Sequence, residues 1–202
     1  MIKNHNKGFT LIELLVVVLI IGILTAMAMP QYFKAVERSR MSEAEQLLRS
    51  ISEAQQRKYL QINKFATDYR GLDVAPKGST GTSFHTKGAL GNGFEITLSD
   101  DNQWEKGIGT AIRENKGNQS DGSETSNNRM SYQYILTRYY ANNTTQCKGV
   151  DENGKALCAD FCGLDSLTGD TCCNADVVTE GEGGSTTSRQ GDCAAPVALG
   201  DQ

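Results

Sequence analysis

The chain has little of what chemistry or nucleic-acid binding requires. Two of its 202 residues are histidine, and only His85 lies beyond the first eight positions. No phosphate-cradling glycine loop, paired-carboxylate motif or nucleophile motif stands out, so neither catalysis nor a bound cofactor is expected. Basic residues number 20 against 24 acidic, a formal net charge of −4, and no basic stripe or reader motif is present. Nucleic acid is therefore excluded as the principal partner. Proline is scarce, with three residues, and no cysteine precedes Cys147.

Charge is also missing from one long stretch: Leu14 to Met29 reads LLVVVLIIGILTAMAM. With Glu13 tolerated, the apolar segment runs from Phe9 to Met29, and 21 helical residues reach about 31 Å, enough to cross a hydrocarbon core. The mean hydropathy of the whole chain is nevertheless −0.43, so the remainder is very polar and supplies no core large enough to bury such a helix. A membrane or export role follows. One form of it is a secretory signal, with Lys3 and Lys7, an apolar stretch and a small-x-small site at Ala26-Met27-Ala28. Cleavage after Ala28 would release a secreted, disulfide-rich binding protein. Glu13 at the start of the apolar stretch, and helical character that continues past Pro30, both argue against that form.

Lys7-Gly8-Phe9-Thr10-Leu11-Ile12-Glu13 resembles the cleavage and methylation segment of type IV prepilins and the related type II secretion pseudopilins. The resemblance is strong over about the first 60 residues and elsewhere extends only to general organisation. It implies that a prepilin peptidase cuts after Gly8, removing residues 1–8 and leaving Phe9 as the N-methylated first residue. The mature side chains would then carry 18 basic against 24 acidic groups, a balance of −6. It implies a role for Glu13 as well. A carboxylate in a membrane helix costs about 2.5–3.5 kcal/mol at full depth. In the family it is thought to pair with the new α-amino group of a neighbouring subunit during assembly. Residues 9 and 13 are also i and i+4 on one helix, so pairing within the chain is the alternative, as is a tolerated interfacial charge.

From Gln31 to about Asn63, apolar residues recur at spacings of three and four, among them Met41, Ala44, Leu47, Leu48, Ile51 and Ala54, with charged residues between them. This predicts a one-sided amphipathic helix continuous with the apolar segment, some 55 residues from Phe9. A coiled-coil dimer is the other reading of the stripe, but no sustained e and g charge pattern supports it. Pro30 and, more weakly, Gly22 mark places for a kink or local melting.

Six glycines between 71 and 93 read as loop; Phe94 to Leu98 alternates as a strand; Ala111-Ile112 suggests a short strand; 115–128 reads as loop. Ser131 to Tyr140 is the best strand pattern, with Tyr132, Tyr134, Leu136 and Tyr140 on one face and Ile135 and Tyr139 on the other. The fold class is α+β: a long N-terminal helix, its first half membrane-spanning, packed on a small antiparallel sheet, with a disulfide-rich C-terminal region. The expected divisions are leader 1–8, transmembrane and filament-core helix 9–30, amphipathic helix 31–63, loop and sheet 64–146, and cysteine-rich region 147–202.

Cys147, Cys158, Cys162, Cys172, Cys173 and Cys193 crowd a glycine-rich segment with little apolar content, which reads as two or three disulfides replacing a core. Fifteen full pairings exist, and adjacent Cys172 and Cys173 are expected to choose different partners. The rival is a zinc site built from Cys158, Cys162, Cys172 and Cys173, which a non-cytoplasmic location disfavours. Disulfides place this end outside the cytoplasm, so the chain crosses once with its N-terminus inside. Asp151-Glu152-Asn153-Gly154 with Asp160, Asp165 and Asp170 is oxygen-rich but lacks calcium-loop spacing, and solvated turns are expected there.

The functional expectation is a structural, non-enzymatic pilin. It begins as a single-pass inner-membrane precursor, is handled by the prepilin peptidase and the pilus or type II secretion assembly machinery, and ends in a homo-oligomeric extracellular filament. A periplasmic pseudopilus is the alternative within the family.

Overall fold

The computed structural model describes residues 9–74, 79, 81–86, 93–98, 108–113, 132–140, 143–181, 184–191 and 193. The leader, including Gly8, and the loop expected at 115–128 lie outside them. Two compact units divide the chain, residues 1–39 and 40–202.

Helix α1 spans Leu11–Ile62 and stays helical through Gly22 and Pro30. Of the kink or local melting expected at Pro30 and, more weakly, at Gly22, melting does not occur: one lost backbone hydrogen bond does not outweigh the helix propensity of the apolar residues on both sides. The helix stops at Asn63, which takes the left-handed conformation (φ 55°) and donates its N–H to the Tyr59 carbonyl at 2.7 Å, a C-terminal cap.

In the unit from residue 40 onward, the stripe predicted on α1 is the buried one. Met41, Ala44, Leu48, Ile51 and Ala54 enter one core with Ile96, Leu98, Ala111, Tyr134, Leu136 and Tyr140. Gln55 is buried among them, and its side-chain amide closes on both backbone groups of Ala66, each at 2.7 Å, so that no amide group is left unpaired.

The sheet contains β1 (Ser83–His85), β2 (Phe94–Leu98), β3 (Ile108–Arg113), β4 (Tyr134–Tyr139), β5 (Thr144–Gly149), β6 (Thr171–Gly181) and β7 (Gly184–Gln190). Among the described residues these form an antiparallel meander in chain order. Strand β1 corrects the reading of 71–93 as loop throughout. Three residues are too few to show alternation, but Phe84 is buried, and Thr86 N–H and the Thr82 carbonyl extend the pairing with β2. The strand expected over 131–140 is Tyr134–Tyr139, with Tyr134, Leu136 and Tyr140 inward as the alternation required.

The cysteine-rich region carries more regular structure than its composition suggested. The sheet runs through the boundary expected at 146/147, and helix α2 spans Glu152–Cys162. The acidic run at 151–154 is therefore a helix start, not a solvated turn. Asp151 is the N-cap, its Oδ1 accepting from Gly154 N–H at 2.6 Å and from Gln133 N–H at 3.0 Å. Gly163, left-handed at φ 71°, ends the helix. Helix α2 buries Leu157, Cys158 and Cys162 against β5 and β6.

Candidate functional site

The N-terminal segment begins with a reciprocal cap. Glu13 N–H donates to Thr10 Oγ1 at 3.3 Å, while Glu13 Oε2 accepts from Thr10 N–H at 2.8 Å and from Thr10 Oγ1 at 2.7 Å. Thr10-x-x-Glu13 is thus a capping box. The Thr10-x-x-Glu13 spacing is the sequence signal for this second role of Glu13, beside its charge.

From Leu11 to Met29 every large apolar side chain is exposed, from 46% at Val16 to 85% at Leu11, and Phe9 is 83% exposed. The helix has both the length and the apolarity to cross a membrane. Within it the Thr25 hydroxyl donates to the Ile21 and Gly22 carbonyls, so its polar atom is satisfied locally.

All six cysteines form disulfides: Cys147–Cys158, Cys162–Cys172 and Cys173–Cys193. This overturns the zinc alternative, because no thiolate is left to ligate, and it gives Cys172 and Cys173 different partners as expected. Among the described residues no cluster of metal-ligating side chains occurs. Asp170 pairs with Lys155 at 2.9 Å. The ammonium holds this carboxyl below its usual range, and the carboxylate raises the lysine. Asp151 and Asp170 thus already have protein partners.

The sequence reading also missed Arg138. It lies on the inward-facing set of β4 with Tyr134, Leu136 and Tyr140, and it is 6% exposed. Strand parity was the available signal: residue 138 must share a face with 134 and 136.

An uncharged exposed helix behind a capped Phe9-Thr10-Leu11-Ile12-Glu13, joined in sequence to an antiparallel sheet with a disulfide-braced end, defines a class: α+β proteins led by an apolar helix long enough to cross a membrane. A family model described as the prokaryotic N-terminal methylation motif matches residues 3–29. The fimbrial protein EcpC of Eikenella corrodens is 35% identical over 117 residues, covering 58% of this chain and 69% of the relative. The type IV major pilin protein PilA of Myxococcus xanthus is 36% identical over 88 residues, covering 44% of this chain and 40% of that protein's length. The type IV major fimbrial protein FimA of Dichelobacter nodosus is 60% identical over 40 residues, 20% of this chain and 26% of the relative. No solved structure matches the chain. The chain belongs to the type IV pilin family.

Proposed function

We propose that the chain is a structural subunit of a type IV pilus, made as an inner-membrane precursor with its N-terminus in the cytoplasm. The observation that carries this reading is the exposed, uncharged helix surface from Leu14 to Met29. In water that surface is unfavourable at roughly 25 cal/mol per Å². Lipid covers it in the precursor, and the same segment of neighbouring subunits covers it in the filament. A repeated head-to-tail contact between identical helices does not close on itself, and an open filament results.

Processing falls between Gly8 and Phe9, through a prepilin peptidase. Before the cut, the Thr10 cap satisfies one carboxylate oxygen of Glu13, which lowers the cost of holding that charge at the membrane boundary. Cleavage creates an α-amino group at Phe9 with an ordinary pKa of roughly 7.7–8. That cation is the assembly partner of Glu13 in an adjacent subunit. Pro30, and secondarily Gly22, act as the sites where α1 bends or stretches during packing. The relatives' descriptions as pilins and fimbrial proteins favour a surface pilus over a periplasmic pseudopilus.

Intact mass spectrometry tests the processing: the expected mature chain begins at N-methylated Phe9, and a chain beginning at Met29 refutes it. Electron microscopy of sheared filaments tests the assembly. Glu13→Ala is expected to abolish filaments while the processed subunit accumulates in the membrane, and normal filament yield would remove the assembly role of Glu13.

A further inference from the structure

A cavity of about 490 Å³ lies between α1 and the β4–β5 turn, lined by Arg49, Glu53, Gln56, Arg138, Asn143 and Asn174. Its chemistry is rich in donors. Arg138 gives Nη1 to Thr145 Oγ1 at 2.9 Å and Nη2 to Asn143 Oδ1 at 3.2 Å, while its Nε has no partner among the described residues. No carboxylate among the described residues stands within ion-pair distance of this buried guanidinium.

Acceptors at the site are oversubscribed. The single oxygen Asn143 Oδ1 also receives Ser52 Oγ at 3.2 Å and Gln56 Nε2 at 3.1 Å, so three donors converge on it. Asn143 is fixed for this task by its left-handed backbone (φ 58°) in the β4–β5 turn. Arg49, on the same cavity wall, spends Nε and Nη2 on Glu45, at 3.1 and 2.6 Å. The wall itself therefore carries two cations, Arg49 and Arg138, against one anion, Glu53. Burial first, and then the charge of Arg49, hold the Arg138 guanidinium below the ordinary arginine pKa; Glu45 and Glu53 oppose this. A buried cation left without a counter-charge is costly, and a guanidinium is shaped to receive a planar or tetrahedral oxyanion.

We propose that this cavity is an oxyanion site, taking a carboxylate or phosphate group between Arg49 and Arg138; Gln56 Nε2 has both its hydrogens committed, to the Tyr140 carbonyl at 2.8 Å and to Asn143 Oδ1 at 3.1 Å. The site does not depend on filament assembly.

The test is thermal unfolding of the full chain in detergent micelles, titrated with sodium phosphate and with sodium acetate against sodium chloride at matched ionic strength. A saturable stabilisation beyond chloride is expected. Arg49→Gln, a half-exposed position whose loss leaves the core intact, is expected to weaken the apparent affinity about tenfold. Glu53→Gln is expected to strengthen it, because it removes the repelling charge. Opposite signs in the two variants separate ligand binding from a general loss of stability. Equal effects of phosphate, acetate and chloride, or the same titration in both variants and the parent, would overturn the proposal. An affinity independent of chain concentration assigns the site to a free oxyanion. One that falls as the chain is concentrated assigns it to a carboxylate of a second copy, which competes for the same guanidinium groups.

Discussion

Replacing Cys147 and Cys158 together by alanine isolates the bridge that ties α2 to β5. The two cysteines are 11 residues apart in sequence. Chain-entropy arithmetic for a loop of that size gives about 2.8 kcal/mol of stabilisation through the unfolded state. Both side chains are fully buried. Exchange for alanine therefore also removes two packed sulfur atoms, adding about 1 kcal/mol of lost contact. The expected total is about 4 kcal/mol. For a folded unit of this size each kcal/mol corresponds to roughly 2–4 °C, so the midpoint should fall by about 8–16 °C. Near-ultraviolet circular dichroism of the full chain in micelles is the suitable assay, because tyrosines of the core report on the sheet while the membrane part of α1 contributes little. Non-reducing peptide mapping of the parent should recover the three bridges described above. A loss under about 1 kcal/mol, or a parent in which Cys158 is bonded to Cys162, would refute the reasoning.

Gly154→Ala is expected to cost at least about 2 kcal/mol in urea unfolding, since a Cβ there would collide with the Gln133 carbonyl oxygen, a backbone atom with little freedom to yield. Tyr140→Phe should leave stability unchanged or raise it by up to about 1 kcal/mol, because the buried hydroxyl has no hydrogen-bond partner among the described residues; a loss above about 2 kcal/mol would show that the hydroxyl is satisfied after all. Asp73 and Asp170 are held below the ordinary carboxylate range by hydrogen bonds from Arg57 and Lys155, so their contribution is present above the unfolded-state pKa and is lost as pH falls through the lower folded value. Asp73→Asn should accordingly lower stability modestly at neutrality, where the pair is present, and leave it unchanged in acid, where Asp73 is protonated in both states, so that the limb around and below about pH 4 flattens; an unaltered acid limb would count against the pair.

Features with a period were legible in the sequence. The α1 stripe from Met41 to Ala54 needs only the 3.6-residue repeat, and Phe94 to Leu98 and Tyr134 to Tyr140 need only alternation. The motif around Gly8, Phe9 and Glu13 was legible through its resemblance to the prepilin segment, which the family model matches over residues 3–29. Strand β1 was hidden by its length, and α2 by its composition: Glu152-Asn153-Gly154-Lys155 opens a helix only because Asp151 caps it and because glycine lets it approach Gln133. Strands β6 and β7 have few large apolar residues, and their place comes from pairing with β5 and with each other, which is a tertiary fact. Arg138 was passed over because a cation in a strand is ordinarily read as surface, although its parity with Leu136 pointed inward.

The fifteen cysteine pairings reduce to three once register is known, of which the structure takes one, and the reduction explains how so polar a segment folds. Cys147 of β5 stands directly opposite Cys172 of β6. Paired residues share a face of the sheet, and Cys173, one position on, must point to the other. Cys158 and Cys162 are i and i+4 on α2, hence neighbours on one side of that helix. Two sulfurs from adjacent strands and two from one helical face therefore meet at a single layer, and the bridges Cys147–Cys158 and Cys162–Cys172 fasten the helix to both strands at once. Cys173 remains for Cys193 on the opposite face, the bridge that secures the chain just beyond β7. In this layer leucine is represented by Leu157, and covalent closure supplies what further apolar side chains would otherwise provide. The strength of that closure does not depend on the apolar area of its surroundings, so a polar sequence can hold this layer together.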